Sequence, residues 1–400
     1  MVIELADVLE TINYLAKSID VSMQEITDVA MVKKAKNGGF DKKYYLERTI
    51  KVKKMNYLDN IDNRLREYYK ILSWDFPEFL NDYIFTKEMQ HLKYISVTCG
   101  KIYSKMFNFG YPYTTLDHSI GVALIIWNFT ADKKQTLAGL FHDIASPVFK
   151  HTVDIFNGDS EIQESTENKT SDIIRNSKEI MALLKRDEIR LEEIEDYHIY
   201  PIADNDTPKL SADRLEYSLS NALFANELCD IEEIKRFYKN IYVGINEEKE
   251  IELCFDDQNI ADKFVELTSS LSILYRDNKT RFSMELLSDM LKWLVRNRLL
   301  TINDLYKLSE DDVIEIINKS KLKDIYAKWV NMKDVKISKC IPNNYYSVKC
   351  RVKIRYIDPL VNNKRVSNIS EKARENIKNN FNYDMDNYIY SDLIKIKVLD

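Results

Sequence analysis

A chain of 400 residues, 45% apolar and 30% charged, is long enough for one large domain with appendages or for two domains. Its net charge of −6 excludes a general nucleic-acid coat while leaving room for a local basic patch. Eight glycines and seven prolines are too few for a turn-dense β protein, so long helices with few breaks are expected.

Residues 1–84 read as an N-terminal helical region. Leu5, Val8, Leu9, Ile12 and Leu15 recur at helical spacing, and a long charged helix is expected from about Tyr44 to Leu72. Pro77 opens a further segment, and a loop with Gly100, Gly110 and Pro112 leads to the most apolar part of the chain. From His118 to Phe129 the residues are apolar nearly all round, the mark of a fully buried helix. A second buried helix is expected from Gln135 to Ile144, before Pro147, and then a polar loop from Asp154 to Lys169. Helices resume at Ser171, one starts near Ser211, and helical patterning continues to about Lys328, with a cap at Thr301–Asp304. Tyr346 to Tyr356 alternates with period two, predicting a half-buried strand whose polar face is Lys349, Arg351, Lys353 and Arg355. The fold class is therefore mainly α, with a small β-containing C-terminal region. The expected divisions are 1–84, a core at 85–230, a helical extension at 231–330, and a C-terminal basic strand and helix at 331–400.

Five cysteines without a C-x-x-C pair read as reduced thiols. The first residues are acidic where a signal peptide is basic. The longest apolar stretch, Ile120 to Trp127, falls well short of the ~20 residues that span a bilayer. A cytoplasmic protein is expected.

Of the five histidines, His118, His142 and His151 lie close together in or beside the most apolar helices. A buried imidazole needs a partner for each ring nitrogen, which either a backbone carbonyl or a metal supplies. Asp143 follows His142 among Leu137, Leu140, Phe141 and Ile144, and no Lys or Arg lies within one turn on either side. An ionised carboxylate there is costly unless something positive meets it. A divalent cation meets that need. Imidazoles with carboxylates suit Mn, Fe, Ni, Co or Zn better than calcium, with Mg a further candidate. Asp213 is the acid best placed to complete the set. On a helix, Asp213, Tyr217 and Asn221 share one face while Leu215, Leu219 and Ala222 take the core face. With Arg214 beside it, that face suits a metal-bound phosphate and a sugar; the alternative for Asp213 is an acid facing the helix dipole.

The order His118, His142-Asp143, Asp213 resembles the H…HD…D pattern of the HD superfamily of metal-dependent phosphohydrolases. His118-Ser119-Ile120-Gly121-Val122-Ala123 is similar to the "HSLGVA" helix of its deoxynucleoside-triphosphate triphosphohydrolase branch. Ala138 to Ile144, with Phe149-Lys150-His151, is similar to that branch's "AGLLHDIGHGPFSH" run, and Met89 to Ile95 resembles its lead-in. The resemblance covers roughly residues 85–230. It implies an HD-type helical bundle with His118, His142, Asp143 and Asp213 as metal ligands. It also implies Arg214 and His151 as phosphate contacts and Tyr217 as a substrate-pocket residue. The chain departs from the branch at Thr115 (an Arg there), Ser146 (a His), Val97 (the Gln that reads the sugar) and Asn221 (the sugar-contacting Asp). Thr166-Glu167 aligns with the branch's catalytic "HE".

The resemblance implies metal-assisted hydrolysis of a phosphoester or phosphoanhydride in a (deoxy)nucleotide, with His151, Arg214 and Glu167 as catalytic residues. Tyr217, Asn221 and Arg214 would hold substrate. Glu167 or Glu164 would take over proton transfer, or else belong to a solvated loop. The alternative is a catalytically reduced protein that binds metal and nucleotide as a sensor, which the departures at Thr115 and Thr166 favour. From Lys319 to Arg365 there are thirteen Lys or Arg against three Asp. This is either a solvated edge strand or a contact with nucleotide, nucleic acid or a neighbouring subunit. Homo-oligomerisation is expected by family analogy alone.

Overall fold

The computed structural model describes residues 2–37, 56–163 and 169–395, and they are mainly α-helical, as expected. The chain divides into two units, Met1–Lys54 and Met55–Asp400. The first holds α1 (Val2–Ser18) and α2 (Met23–Asn37). Leu5, Val8, Leu9, Ile12 and Leu15 lie on α1 as their spacing predicts, and all five are exposed.

In the second unit, the expected charged helix from Tyr44 to Leu72 lies outside the described residues as far as 55 and is interrupted beyond them. A 3₁₀ turn at Tyr57–Asn60 comes first, and Asp62 then caps α3 (Asn63–Leu72) by accepting the Arg64 N–H. α4 (Phe79–Ile84) and α5 (Lys87–His91) follow. Thr114 and Asp117 form a reciprocal capping box that starts α6 (Thr115–Thr130), buried on every side through Ile126. Asp132 caps α7 (Lys133–Phe141) through the N–H groups of Lys134 and Gln135. The two helices approach so closely that a Cβ on Gly139 would lie 2.2 Å from Ile126 Cδ1.

α7 stops earlier than the expected Gln135–Ile144, so His142 and Asp143 lie in the turn after the helix, not inside it. Pro147 has no N–H to offer the Asp143 carbonyl, which accepts from Ser146 N instead, and the chain tightens into i→i−3 turns. α8 (His151–Phe156) occupies the start of the segment expected to be loop from Asp154. Next come α9 (Thr170–Asn176), α10 (Lys178–Arg186), α11 (Ala212–Ser220), capped by Ser211, and α12 (Ile231–Lys239).

The helical patterning expected to continue to about Lys328 is interrupted by a β-hairpin, β1 (Ile241–Ile245) and β2 (Ile251–Phe255). Alternating Ile241, Val243 and Ile245 against Ile251, Leu253 and Phe255 carry it. Helices return as α13 (Gln258–Leu274), α14 (Asn278–Arg296), α15 (Glu310–Lys319) and α16 (Lys323–Val330). The Thr301–Asp304 capping box forms as expected, although it starts a 3₁₀ turn.

The C-terminal part contains β3 (Lys336–Ser338), β4 (Tyr345–Val348), β5 (Leu360–Val361), β6 (Lys364–Arg365), α17 (Val366–Ile369), α18 (Glu371–Phe381) and β7 (Tyr388–Lys395). β5 joins β2 in a sheet of order β1-β2-β5-β6, and β7 is central in β3-β7-β4. The strand expected over Tyr346–Tyr356 ends at Val348. Beyond it the backbone groups are spent on other partners: Arg281 donates to the Cys350 carbonyl at 2.9 Å, Lys353 N to Ser160 O at 3.2 Å, and Asn380 to the Arg355 carbonyl at 2.9 Å. The expected basic face splits accordingly. Lys349 and Arg351 stay exposed, with Arg351 paired to Asp386, while Lys353 and Arg355 turn toward the core.

Candidate metal centre

α6 carries His118, the turn after α7 carries His142 and Asp143, and the first turn of α11 carries Asp213. The two Nε2 atoms lie 3.2 Å apart. Asp213 Oδ1 is 3.0 Å from His118 Nε2 and 3.6 Å from His142 Nε2; Asp143 Oδ2 is 3.8 and 3.6 Å from the same atoms. Ligands about 2.0–2.2 Å from a shared ion at neighbouring coordination positions lie roughly 2.8–3.6 Å from one another, and all these separations but the 3.8 Å from Asp143 Oδ2 to His118 Nε2 fall in that range. The sequence-predicted ligands are thus brought together.

Ring orientation supplies a second test. His142 Nδ1 lies 2.7 Å from the Gly139 carbonyl, which can only accept, so that nitrogen carries the proton and Nε2 presents a lone pair. His118 Nδ1 bonds the carboxylate of Glu216. This is the carboxylate–histidine arrangement that fixes a metal-binding imidazole. Two Nε2 atoms facing each other at this distance need a proton or a cation between them. Burial disfavours charge on His118, yet Glu216 and then Asp213 lift its pKa to about 10. Burial likewise opposes ionisation of Asp213, but the His118 hydrogen bond together with the two imidazoles brings the carboxyl down to about 2. His118, His142 and Asp143 could hold a metal ion on these grounds, and Asp213 offers a further oxygen.

The premise that Asp143 has no basic neighbour needs correction. Lys150, seven residues on, donates to Asp143 Oδ2, and Ser146 donates to Oδ1 at 3.1 Å. Against the burial that raises it, Lys150 and the two imidazoles hold Asp143 well below the usual carboxylate range. Oδ2 has a second lone pair, so one ammonium does not exhaust it. Lys150 reaches inward because Phe149 (φ 59°) and Lys150 (φ 42°) both take positive φ, unusual for residues with side chains. Glu310 of α15 helps to hold that turn: it accepts the N–H of Phe149 at 3.3 Å and of Ser96 at 3.2 Å, and the Tyr103 hydroxyl at 3.1 Å.

Sequence reasoning missed Glu216. It is fully buried and bonded to His118, Tyr68 (3.1 Å), Tyr113 (2.6 Å) and Ser220 (3.2 Å). An acid between Leu215 and Leu219, on the core side of α11 and opposite Gly121, was the available signal; a Cβ on Gly121 would sit 2.6 Å from Glu216 Oε1.

The cluster opens into a cavity of about 820 Å³, also lined by His151, Arg214, Tyr217 and Asn221. Arg214 is committed to the loop before α11: it donates to Asn205 Oδ1 at 2.6 Å and to the Lys209 carbonyl at 3.1 Å, and lies 3.4 Å from Asp204. Asn221 donates to the Tyr217 carbonyl at 2.8 Å. His151 Nδ1 is 3.0 Å from Asp154 Oδ2, and burial, more than any neighbour, lowers its pKa. Glu164, Thr166 and Glu167 lie outside the described residues.

No family model matches the chain. An uncharacterized protein of Bacillus subtilis, YdhJ, is 25% identical over 268 residues, covering 66% of this chain and 79% of that protein. Among solved structures, a phosphohydrolase from Bacteroides thetaiotaomicron superposes with a TM-score of 0.54 at 13% identity, covering 79% of this chain and 96% of the other. A hypothetical protein from Aquifex aeolicus gives 0.51 at 18% identity, covering 79% and 93%. The chain therefore has a mainly α-helical fold that a phosphohydrolase also uses, with a half-buried His–Asp cluster lining its cavity. Among the described residues no helix is long and apolar enough to cross a membrane.

Proposed function

We propose that this protein is a metal-dependent phosphohydrolase of the HD type, cleaving a phosphoester or phosphoanhydride bond in a (deoxy)nucleotide. The observation that carries the reading is the pair of imidazole Nε2 atoms 3.2 Å apart, with carboxylate oxygens from Asp143 and Asp213 closing on both. His118, His142, Asp143 and Asp213 would hold one divalent ion, of Mn, Fe, Ni, Co, Zn or Mg. When bound, that ion supplies Lewis-acid polarisation of a phosphoryl oxygen and acidifies water.

The chain's own groups do the rest. Glu216 and the Gly139 carbonyl fix the two imidazoles. Lys150 offsets charge developing on the phosphoryl oxygens. His151 is set up as a neutral imidazole, Nδ1–H toward Asp154, so its Nε2 suits proton acceptance better than the charge offset first expected of it. Arg214 steadies the Asn205–Lys209 loop, and Tyr217 and Asn221 shape the wall where the nucleotide sits.

The test is a hydrolysis screen of nucleoside mono-, di- and triphosphates with Mn, Mg, Co and Ni, with the products separated. Release of phosphate, pyrophosphate or tripolyphosphate supports the reading and identifies the bond cleaved. Saturable nucleotide binding without product under all four metals would turn the protein into a sensor, the reading that Thr115 favours.

A further inference from the structure

Two cations in the same cavity have no part in that mechanism. Lys101 sits on a 3₁₀ turn, Lys101–Tyr103, that follows Gly100 in the left-handed conformation. Only 9% of it is exposed, and its ammonium makes a single long hydrogen bond, 3.4 Å to Thr280 Oγ1. It lies 5.5 and 6.0 Å from the ring centroids of Phe107 and Phe109, which stack on each other. Arg355, on the segment that leaves the expected strand, donates to Gln163 Oε1 at 2.6 Å and faces His151 Nε2 at 3.4 Å. Among the described residues, no carboxylate oxygen comes within 4 Å of either cation. Three other cations at this cavity are matched: Lys150 meets Asp143, Arg214 meets Asp204, and Lys209 meets Glu248 and Glu250.

Two unmatched positive groups in one cavity wall carry a desolvation cost that a bound anion recovers, and charge-assisted hydrogen bonds are the strong ones. Burial holds the Lys101 ammonium below its ordinary pKa; Cys99 and Asp277 act against that, and Arg355 adds to it. Asp277 acts only from a distance: its carboxylate accepts the Thr280 N–H at 2.6 Å as the cap of α14 and forms no ion pair with the Lys101 ammonium among the described residues. The volume of about 820 Å³ is within the range of roughly 300–1,000 Å³ typical of small-molecule sites, enough for a ligand that reaches both groups.

We infer that Lys101 and Arg355 form a second anion subsite, separate from the metal cluster, which takes a second phosphoryl group of the same substrate. The word substrate rests on the proposed function; the anion site does not. A phosphoryl group is favoured over a carboxylate because two cations, one a forked guanidinium, match a dianion with three terminal oxygens.

The first experiment uses chelator-stripped full-length protein titrated calorimetrically with inorganic phosphate. Saturable binding is expected, at least tenfold weaker in Lys101→Met and in Arg355→Gln and kept within threefold in Lys101→Arg. No binding to the wild type, or equal binding to both neutral variants, overturns the inference. Should Lys101→Met fail to fold, Arg355→Gln alone carries this arm. The second experiment uses metal-loaded protein and compares adenosine 5′-monophosphate with adenosine 3′,5′-bisphosphate and with adenosine 5′-triphosphate. One of the latter two is expected to bind at least tenfold tighter than the monophosphate, with the gain lost in Lys101→Met. Whichever shows it tells whether the second group is carried on the sugar or along the chain. If neither gains over the monophosphate, the inference fails. Lys101-dependent phosphate binding in a protein that takes up no metal would retain the subsite and sink the proposed function instead.

Discussion

Replacing Glu216 separates the metal site from the fold around it. In Glu216→Gln the side chain keeps its length, but a single carbonyl oxygen must now serve His118 Nδ1, two tyrosine hydroxyls and Ser220. The charge-assisted bond that makes the imidazole a better donor is lost. Loss of such an outer-shell partner costs about 10–100-fold in metal affinity, roughly 1.4–2.7 kcal/mol. Glu216→Ala goes further, leaving four buried donors without their acceptor. At about 1–3 kcal/mol for each unsatisfied group, two orphans alone would use up much of the ~5–15 kcal/mol that a domain of this kind has. The assay is competition with a fluorescent chelator for metal affinity, and thermal melting for stability. The expected pattern is weakened metal binding with a small melting shift in the glutamine variant, and gross instability in the alanine variant. Wild-type metal affinity in Glu216→Gln would refute the argument that this carboxylate orients His118.

Gly121→Ala pushes a methyl against Glu216 Oε1, which Tyr68 and Tyr113 prevent from retreating; a loss of about 1–3 kcal/mol is expected by chemical denaturation. An unchanged denaturation midpoint would show that the carboxylate has room to move. Glu310 has its pKa pushed up to about 8 by burial, against the hydrogen bonds that lower it. Between about pH 4.5 and 8 the folded chain therefore holds a proton that the unfolded chain has released. This contribution is complete below that window and lost as pH rises through it, by on the order of 3–5 kcal/mol. The wild type should lose stability relative to Glu310→Gln from pH 5 to 8; parallel curves would mean that Glu310 is already ionised in the fold. Lys150→Met should lower kcat on a nucleotide substrate by about 10²-fold while the metal content stays at wild-type level. Loss of metal together with activity would assign Lys150 to holding the site instead.

The start of α11 was readable because Ser211 is a local cap whose chemistry needs no tertiary context, whereas the helices expected from His118 and Gln135 begin earlier, at the caps Thr114 and Asp132. His142 and Asp143 of the candidate metal cluster were readable for a related reason. A carboxylate beside an imidazole among apolar residues demands a partner wherever the chain goes. What escaped was set by long-range packing. Lys150 reaches Asp143 through two residues of positive φ that no propensity predicts. Arg355 alternates like a strand residue, yet its backbone is claimed by Asn380 of α18, and its side chain turns into the cavity. The β1–β2 hairpin was passed over because short apolar runs between helices fit either period. Glu216 escaped because its partners, His118, Tyr68 and Tyr113, come from distant parts of the chain and only the fold brings them to it.

Metal analysis of the purified protein and of Asp213→Ala, by inductively coupled plasma mass spectrometry after dialysis, is the most direct test. Close to one divalent transition metal per wild-type chain is expected, and a large loss in the variant, with both proteins folded. A folded wild-type chain that binds no such ion on reconstitution would contradict the metal assignment.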